Sequence, residues 1–377
     1  MRRTSPKVLS PTTSQKTERA ALMHPRMHGF ILGLAVVLLG LSAALAAETS
    51  VRAAPVRPGA KSPAQQTKKV SHPSTLTLAD VAKKLGLGIH WSEPRVKATL
   101  SDATRRLELG SGSREVQING LRVFLGEPVA LNRGELHVSA IDYHTCLVPL
   151  LRPSLAPGRP ARPKVIAIDA GHGGVDQGTE NRRLQYKEKV FTLDVAIRLK
   201  KLLEQQNYTV VLTRTKDVTI DKPMRVLVAN RAGADVFVSI HFNSLANDRV
   251  TSGTEVFTFA PQHQRSTNSW GLFEADDTES EVAPGNDFDA WNALLAHSIH
   301  RELLGGLKTL DRGKKIGHLG VLRGLKCPGV LVESGFLSND EEAARIATPA
   351  YRQEIAVALA AGINGYANQV DALRAKR

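Results

Sequence analysis

Cysteine is nearly missing from this chain: 377 residues hold only Cys146 and Cys327. Two thiols allow at most one disulfide, which excludes a disulfide-built scaffold. They fall in different expected domains, so two buried free thiols are the expectation over an inter-domain bridge. Cys327 stands beside Pro328 with no basic or histidine partner set around it, so a thiol nucleophile is not indicated. Aromatic residues make up 5% of the chain, with no base-stacking pattern, no cysteine–histidine finger and no recognition helix. Nucleic acid is therefore not expected as a partner, although the net charge is +14 and the pI about 9.9. Much of that charge sits in the amino-terminal tail and the stretch after it, where Arg2, Arg3, Lys7, Lys16, Arg19 and Arg26 precede an apolar run and Arg52, Arg57, Lys61, Lys68 and Lys69 follow it.

Long apolar runs are also lacking. The longest uninterrupted one near the start, Phe30 to Leu41, is too short for a comfortable membrane span. Ala44-Leu45-Ala46 then supplies a small-x-small cleavage pattern. Residues 1–47 read as a secretory signal peptide with a long basic leading region, cut near Ala46 or Ala47; an uncleaved signal anchor is the alternative. Residues 48–74 are rich in Ala, Pro, Lys, Gln and Ser and cannot bury a core, so they read as a flexible linker. Residues 75–151 carry a helical stretch, Leu78 to Leu85, ending at Gly86. Short alternating segments follow, with Gly110-Ser111-Gly112, Asn119-Gly120 and Asn132-Arg133-Gly134 as turns. This predicts a small β-rich or α+β domain. Residues 152–163 carry four prolines and read as a second linker.

From 164 to 370 strand and helix patterns alternate: strands at 165–168, 209–213, 236–241, 254–259 and 329–333, helices at 188–205, 223–232, 291–304 and 353–369. The expected fold is α/β, an open, mostly parallel sheet with helices on both faces. Three strands end in residues with chemistry. Val165 to Ile168 runs into Asp169-Ala170-Gly171-His172-Gly173-Gly174; Val236 to Ile240 into His241-Phe242-Asn243; Val330 to Val332 into Glu333-Ser334-Gly335. Glu188 opens the first helix. Strand ends converge on one edge of a parallel sheet, which is where such folds build sites. Two histidines and one carboxylate are the ligand set of a catalytic zinc site with its fourth position left for water. Glu333 would then be free to act as a general base. Each residue taken singly has a plainer reading: a turn or phosphate contact for His172, a hydrogen-bonded strand end for His241, a solvated first-turn glutamate for Glu188, a salt-bridged carboxylate for Glu333.

These segments resemble the zinc-dependent N-acetylmuramoyl-L-alanine amidases of the amidase_3 type. The resemblance rests on Asp169-Ala-Gly-His-Gly-Gly-Val-Asp-Gln-Gly178, Lys187-Glu188-Lys189, Leu212-Thr-Arg214, Ala229-Asn230-Arg231, Ser239-Ile-His241-Phe-Asn243 and Val332-Glu333-Ser-Gly-Phe-Leu-Ser-Asn339, in family order from about Lys164 to Tyr366. It implies His172, Glu188 and His241 as zinc ligands and Glu333 as the catalytic glutamate. The implied reaction is hydrolysis of the amide between the lactyl group of N-acetylmuramic acid and L-alanine of the stem peptide. The implied protein is exported, periplasmic or associated with the cell wall, with peptidoglycan and potentially a protein activator as partners, and with no stable membrane span unless the signal stays uncleaved. Asp169 and Asn243, beside ligands, are candidates to orient an imidazole, or else form turns as Asx side chains. Arg323 and Arg312 are candidates to grip an anionic stem peptide, or else structural ion pairs.

The amino-terminal domain resembles the N-terminal copper amine oxidase-like module of some cell-wall enzymes, through Gly112-Ser113-Arg114-Glu115, Asn119-Gly120 and Leu125-Gly126. His137 and His144 lie there without metal-ligand spacing, so glycan or wall binding, or plain packing, is expected of it. Residues 261–289 hold seven carboxylates and no Lys or Arg after Arg265; they read as a solvated loop or as an element regulating the site. Two other classes remain open. A wall carboxypeptidase would use similar ligands, but with a His and Glu only a few residues apart, whereas His172 and Glu188 are sixteen apart. A non-catalytic wall-binding protein would not need all four site residues.

Overall fold

Short strand β1 (Thr75–Thr77) leads into helix α1 (Leu78–Leu85) in the computed structural model, which describes residues 74–158, 160–268 and 281–375. The expected signal peptide and most of the expected first linker, as well as residues 269–280 of the acidic stretch, lie outside the described residues. Thr77 caps α1 by accepting the Asp80 N–H, and Gly86 ends it in the left-handed conformation that glycine reaches without strain. An antiparallel meander follows: β2 (Gly88–Glu93), β3 (Lys97–Ser101), β4 (Arg106–Gly110), β5 (Glu115–Ile118) and β6 (Leu121–Phe124). A hairpin of β7 (Ala130–Asn132) and β8 (Glu135–Ser139) pairs back to β1. A helical segment that the sequence did not predict comes next: α2 (Ala140–Asp142), a five-residue π turn and α3 (Val148–Leu151).

The second half starts with β9 (Val165–Ala170) and a small hairpin, β10 (Glu180–Asn181) and β11 (Tyr186–Lys187). There follow α4 (Glu188–Glu204), β12 (Thr209–Leu212), α5 (Lys222–Arg231), β13 (Val236–Asn243) and β14 (Thr254–Phe259). The chain continues through α6 (Asp289–Leu307), β15 (Asp311–Gly317), α7 (Gly320–Arg323), β16 (Gly329–Phe336), α8 (Asp340–Ile346) and α9 (Pro349–Ala375). The sheet runs β12-β9-β13-β16-β14-β15 and then on into the meander. β12, β9, β13 and β16 are parallel; β14 runs antiparallel to β16 and parallel to β15. The sheet is thus mixed.

Side-chain alternation assigns the faces. Ile166, Ile168, Val238, Val330 and Val332 join the core cluster that holds the buried residues of α4, α6 and α9. Ala167, Phe237 and Leu331 join a second cluster with Val226 and Ala229 of α5 and Leu322 of α7. Helices cover both faces, as expected. β15 has no apolar alternation (Asp-Arg-Gly-Lys-Lys-Ile-Gly) and was not legible as a strand. Its Lys315 is buried because it forms an ion pair with buried Glu255 of β14 and lies over the Phe124 and Phe257 rings.

The described residues form one compact unit. The meander continues the main sheet through β6, whose Val123 pairs with Lys314 of β15. The proline-rich stretch is also tied down, since the Trp291 indole N–H of α6 donates to the Pro157 carbonyl at 3.1 Å. Both cysteines are free and buried, with burial pushing their thiols up to about 11 for Cys146 and about 12 for Cys327. Among the described residues no helix is long and apolar enough to cross a membrane.

Candidate metal centre

Three side chains meet above the carboxyl ends of β9 and β13. His172 leaves β9 through Gly171, and its own backbone sits in the left-handed region at φ 61°. A non-glycine residue held there carries strain of roughly 1–3 kcal/mol, a feature that concentrates at functional sites. Glu188 is the first residue of α4, and its carboxylate lies between two imidazoles. Oε2 is 3.1 Å from His172 Nε2 and Oε1 is 3.0 Å from His241 Nδ1. The Thr179 and Phe242 backbone N–H groups also donate to this carboxylate, at 2.8 and 3.0 Å. One donor atom from each of His172, Glu188 and His241 falls within 4.8 Å of the others. Close approach explains two glycines: a Cβ on Gly171 would stand 2.4 Å from His241 Cε1, and one on Gly178 would stand 2.6 Å from Glu188 Oε2.

Register brings in the fourth residue. Across β13, β16 and β14, His241, Glu333 and Glu255 stand side by side. Glu333 Oε2 is buried and has no hydrogen-bond partner among the described residues. Burial pushes its carboxyl well above the usual carboxylate range, with the charges of Glu188 and Glu255 adding to this and Lys315 opposing it. For Glu188, burial acts upward but the hydrogen bonds and charges of the two histidines win, holding it well below that range. For His172, burial acts downward, and Glu188 with Asp176 outweighs it, so its pKa lies above the ordinary histidine value. All four side chains line one open cavity of about 540 Å³, within the size range of ligand sites.

The supporting residues differ from expectation. Asp169 touches neither imidazole. Fully buried, it accepts from Thr213 and Ser239 hydroxyls and from Arg225 Nη1 at 2.6, 2.7 and 2.7 Å. The alternation of β9 points it toward α5, away from the ring it was expected to orient. Asp176 takes that place: His172 Nδ1 lies 2.9 Å from both of its oxygens. Its spacing, four residues after His172, was a signal in the sequence. Asn243 also misses the imidazoles. Its amide donates to Glu255 and its carbonyl oxygen accepts the Ser244 N–H. Arg323 ends α7 with its side chain exposed and outside the cavity lining, whereas Leu319, Gly320 and Val321 just before it do line the cavity. Arg312 lies over the Phe336 ring and near Glu255, a structural setting.

Two arginines to which the sequence gave no role hold the His172 turn. Arg225 donates to the Ala170 and His172 carbonyls at 2.7 and 2.8 Å, and Arg214 to the Ala170 and Gly171 carbonyls at 2.9 Å each. Asp169 is the counter-ion that lets Arg225 stay buried. Asp169→Ala would strand that guanidinium, and is expected to destabilise the fold by about 3–5 kcal/mol. Denaturant unfolding measures this; a change under 1 kcal/mol would mean that the pair is dispensable.

The model of the N-acetylmuramoyl-L-alanine amidase family matches residues 166–365. The chain belongs to this family. AmiC of Escherichia coli O6:H1 is 33% identical over 242 residues, covering 58% of this chain and 57% of AmiC. AmiA of Escherichia coli K12 is 30% identical over 226 residues, covering 55% of this chain and 78% of AmiA. An uncharacterized cell wall amidase of Bacillus anthracis is 34% identical over 210 residues, 54% of this chain and 35% of that protein. The chain therefore spans little more than half of AmiC and about a third of the Bacillus protein. The amidase family match begins at β9 and leaves out the meander.

Proposed function

We propose that this protein is an exported, zinc-dependent peptidoglycan hydrolase that cuts the amide between the lactyl group of N-acetylmuramic acid and L-alanine. The observation that carries it is the placement of two histidines and a glutamate around a common point, beside a glutamate whose one buried oxygen has no partner among the described residues, in one open cavity of an amidase-family domain. The donor set fits zinc: imidazole and carboxylate ligands, three in number, with a side open to the cavity. His172, Glu188 and His241 would hold the ion. When bound, zinc polarises a carbonyl and lowers the pKa of water toward neutrality.

The chain's own residues do the rest. Asp176 on Nδ1 fixes the His172 tautomer, leaving Nε2 directed at Glu188 and free as a ligand. The Thr179 and Phe242 N–H groups hold the Glu188 carboxylate in place between the rings. Glu333 takes a proton from the attacking water and passes it to the departing amine of L-alanine. The water oxygen bonds to the lactyl carbonyl carbon, the C–N bond breaks, and the products are a lactyl carboxylate and a free stem peptide. Glu333 suits this task because surroundings that raise its carboxyl make it, once ionised, a stronger proton acceptor than an ordinary carboxylate.

Asp176→Asn keeps the shape but weakens the hydrogen bond on Nδ1. It is expected to lower zinc affinity by roughly 10–100-fold. Competition against a chromophoric chelator reads this directly, and unchanged affinity would remove Asp176 from the site. Export is proposed from the apolar run and the Ala44-Leu45-Ala46 pattern; the amino-terminal sequence of the secreted protein, expected near Ala46 or Ala47, tests it. Residues 75–151 are proposed as an accessory module like the copper amine oxidase-like one.

A further inference from the structure

A cavity of about 600 Å³ opens on the accessory module, away from the residues that line the metal centre. Strand β2 is the free edge of the long sheet and forms one wall. Ile89 and Trp91 pair with Leu100 and Ala98 of β3, which are buried, so they stand on the core-bearing face at its rim. There they remain 39% and 38% exposed, a large apolar surface for a small module to leave open. Two arginines flank them from separate turns. Arg95, between β2 and β3, and Arg133, between β7 and β8, both adopt left-handed backbones, at φ 61° and 50°. Arg95 lies against Gly134, where a side chain would crowd it. Glu135 completes the wall.

The polar groups here have nothing to do inside the fold. The side chains of Trp91, Arg95, Arg133 and Glu135 have no hydrogen-bond or ion-pair partner among the described residues. Most charged side chains near the main site are paired; these converge on an empty space instead. An aromatic face ringed by donors and one acceptor is suited to a pyranose. The axial C–H face of the sugar packs on the indole, while hydroxyl and acetamido groups meet the guanidinium N–H groups and the carboxylate. A strongly anionic ligand fits less well, because Glu135 shares the wall. A peptide would instead use the free backbone edge of β2.

We infer that this cavity binds a neutral stretch of the wall glycan, with Trp91 as its stacking platform. The choice of glycan as the saccharide rests on the proposed function, since the bond cleaved there hangs from that polymer. The module would keep the enzyme on its polymeric substrate while the metal centre works on successive stem peptides.

The full secreted chain carrying Glu333→Gln serves for binding, so that nothing is consumed. The probe is glycan strands stripped of their stem peptides and with the exposed lactyl carboxylates blocked as amides, so that they are neutral, with free stem peptide as the comparison. The stripped strands are expected to bind. Trp91→Ala added to this chain is expected to weaken them by roughly 10–100-fold, the loss of one buried aromatic face. Arg133→Ala, at an exposed turn that cannot upset the core, is expected to weaken them as well. In the chain with Glu333 intact, neither change should alter turnover of a small soluble muropeptide. Unchanged binding in Arg133→Ala and in a folded Trp91→Ala, strands that do not bind at all, or stem peptide binding in their place would each overturn the inference. If strands bind through Trp91 while the parent cuts no lactyl–alanine bond, the amidase reading falls and this site stands.

Discussion

Glu333→Gln lowers kcat on muropeptides by about 10²–10⁴-fold, the usual contribution of a positioned acid–base group, and leaves the zinc content unchanged. Glutamine keeps the volume and one acceptor but cannot carry the proton from water to the amine. The site makes this a strong expectation, because Glu333 stands between His241 and Glu255 across three strands with one oxygen buried and unpaired. A purely structural carboxylate would have found partners. The same substitution has a readout independent of turnover. In the chelated protein the Glu333 carboxyl is raised above its unfolded value, by burial first and then by Glu188 and Glu255. A raised carboxyl contributes stability that is present below its unfolded pKa and is lost as pH rises toward its folded pKa. Glutamine does not titrate, so the melting temperature of Glu333→Gln relative to the parent should be higher at pH 8 than at pH 5. A variant with full activity, or a difference that ignores pH, would take Glu333 out of this role.

Glu188→Ala is the second large effect. It removes the group that both imidazoles face and that two backbone N–H groups stabilise. Zinc binding should be lost. Activity should fall by roughly 10³-fold or more, since a bound metal supplies several kcal/mol to such a reaction. The metal-free fold should also weaken by about 1–3 kcal/mol, because the Thr179 and Phe242 N–H groups lose their acceptor. Zinc analysis, turnover and denaturant unfolding separate the three consequences. A variant that keeps its zinc would place the ion elsewhere.

The sequence shows the main residues of the site because each breaks a pattern. His172, His241 and Glu333 are polar residues at the ends of apolar runs, and Glu188 begins a helical period. The structure brings them to one cavity because parallel strands end on the same edge. Their supports were harder to see. Asp169 sits beside a ligand in the chain, yet strand alternation turns it toward Arg225, while Asp176, four residues on, reaches the ring. Arg225 gives no local signal of this role, since its counter-ion Asp169 and the carbonyls it holds in the His172 turn lie more than fifty residues away. β15 was invisible because an ion pair and aromatic rings, not an apolar pattern, bury Lys315. The join between meander and main sheet hangs on the pairing of Val123 with Lys314, which no composition shift reveals.

The bond that is cut tests the account most directly. Purified muropeptides are incubated with zinc-loaded and with chelated protein, and the products are identified by mass. The account predicts that the zinc-loaded protein releases the intact stem peptide with a free L-alanine amine, leaving the sugar with its lactyl carboxylate, and that the chelated protein releases nothing. Loss of a single terminal amino acid from the stem, or binding without cleavage in the presence of zinc, would contradict it.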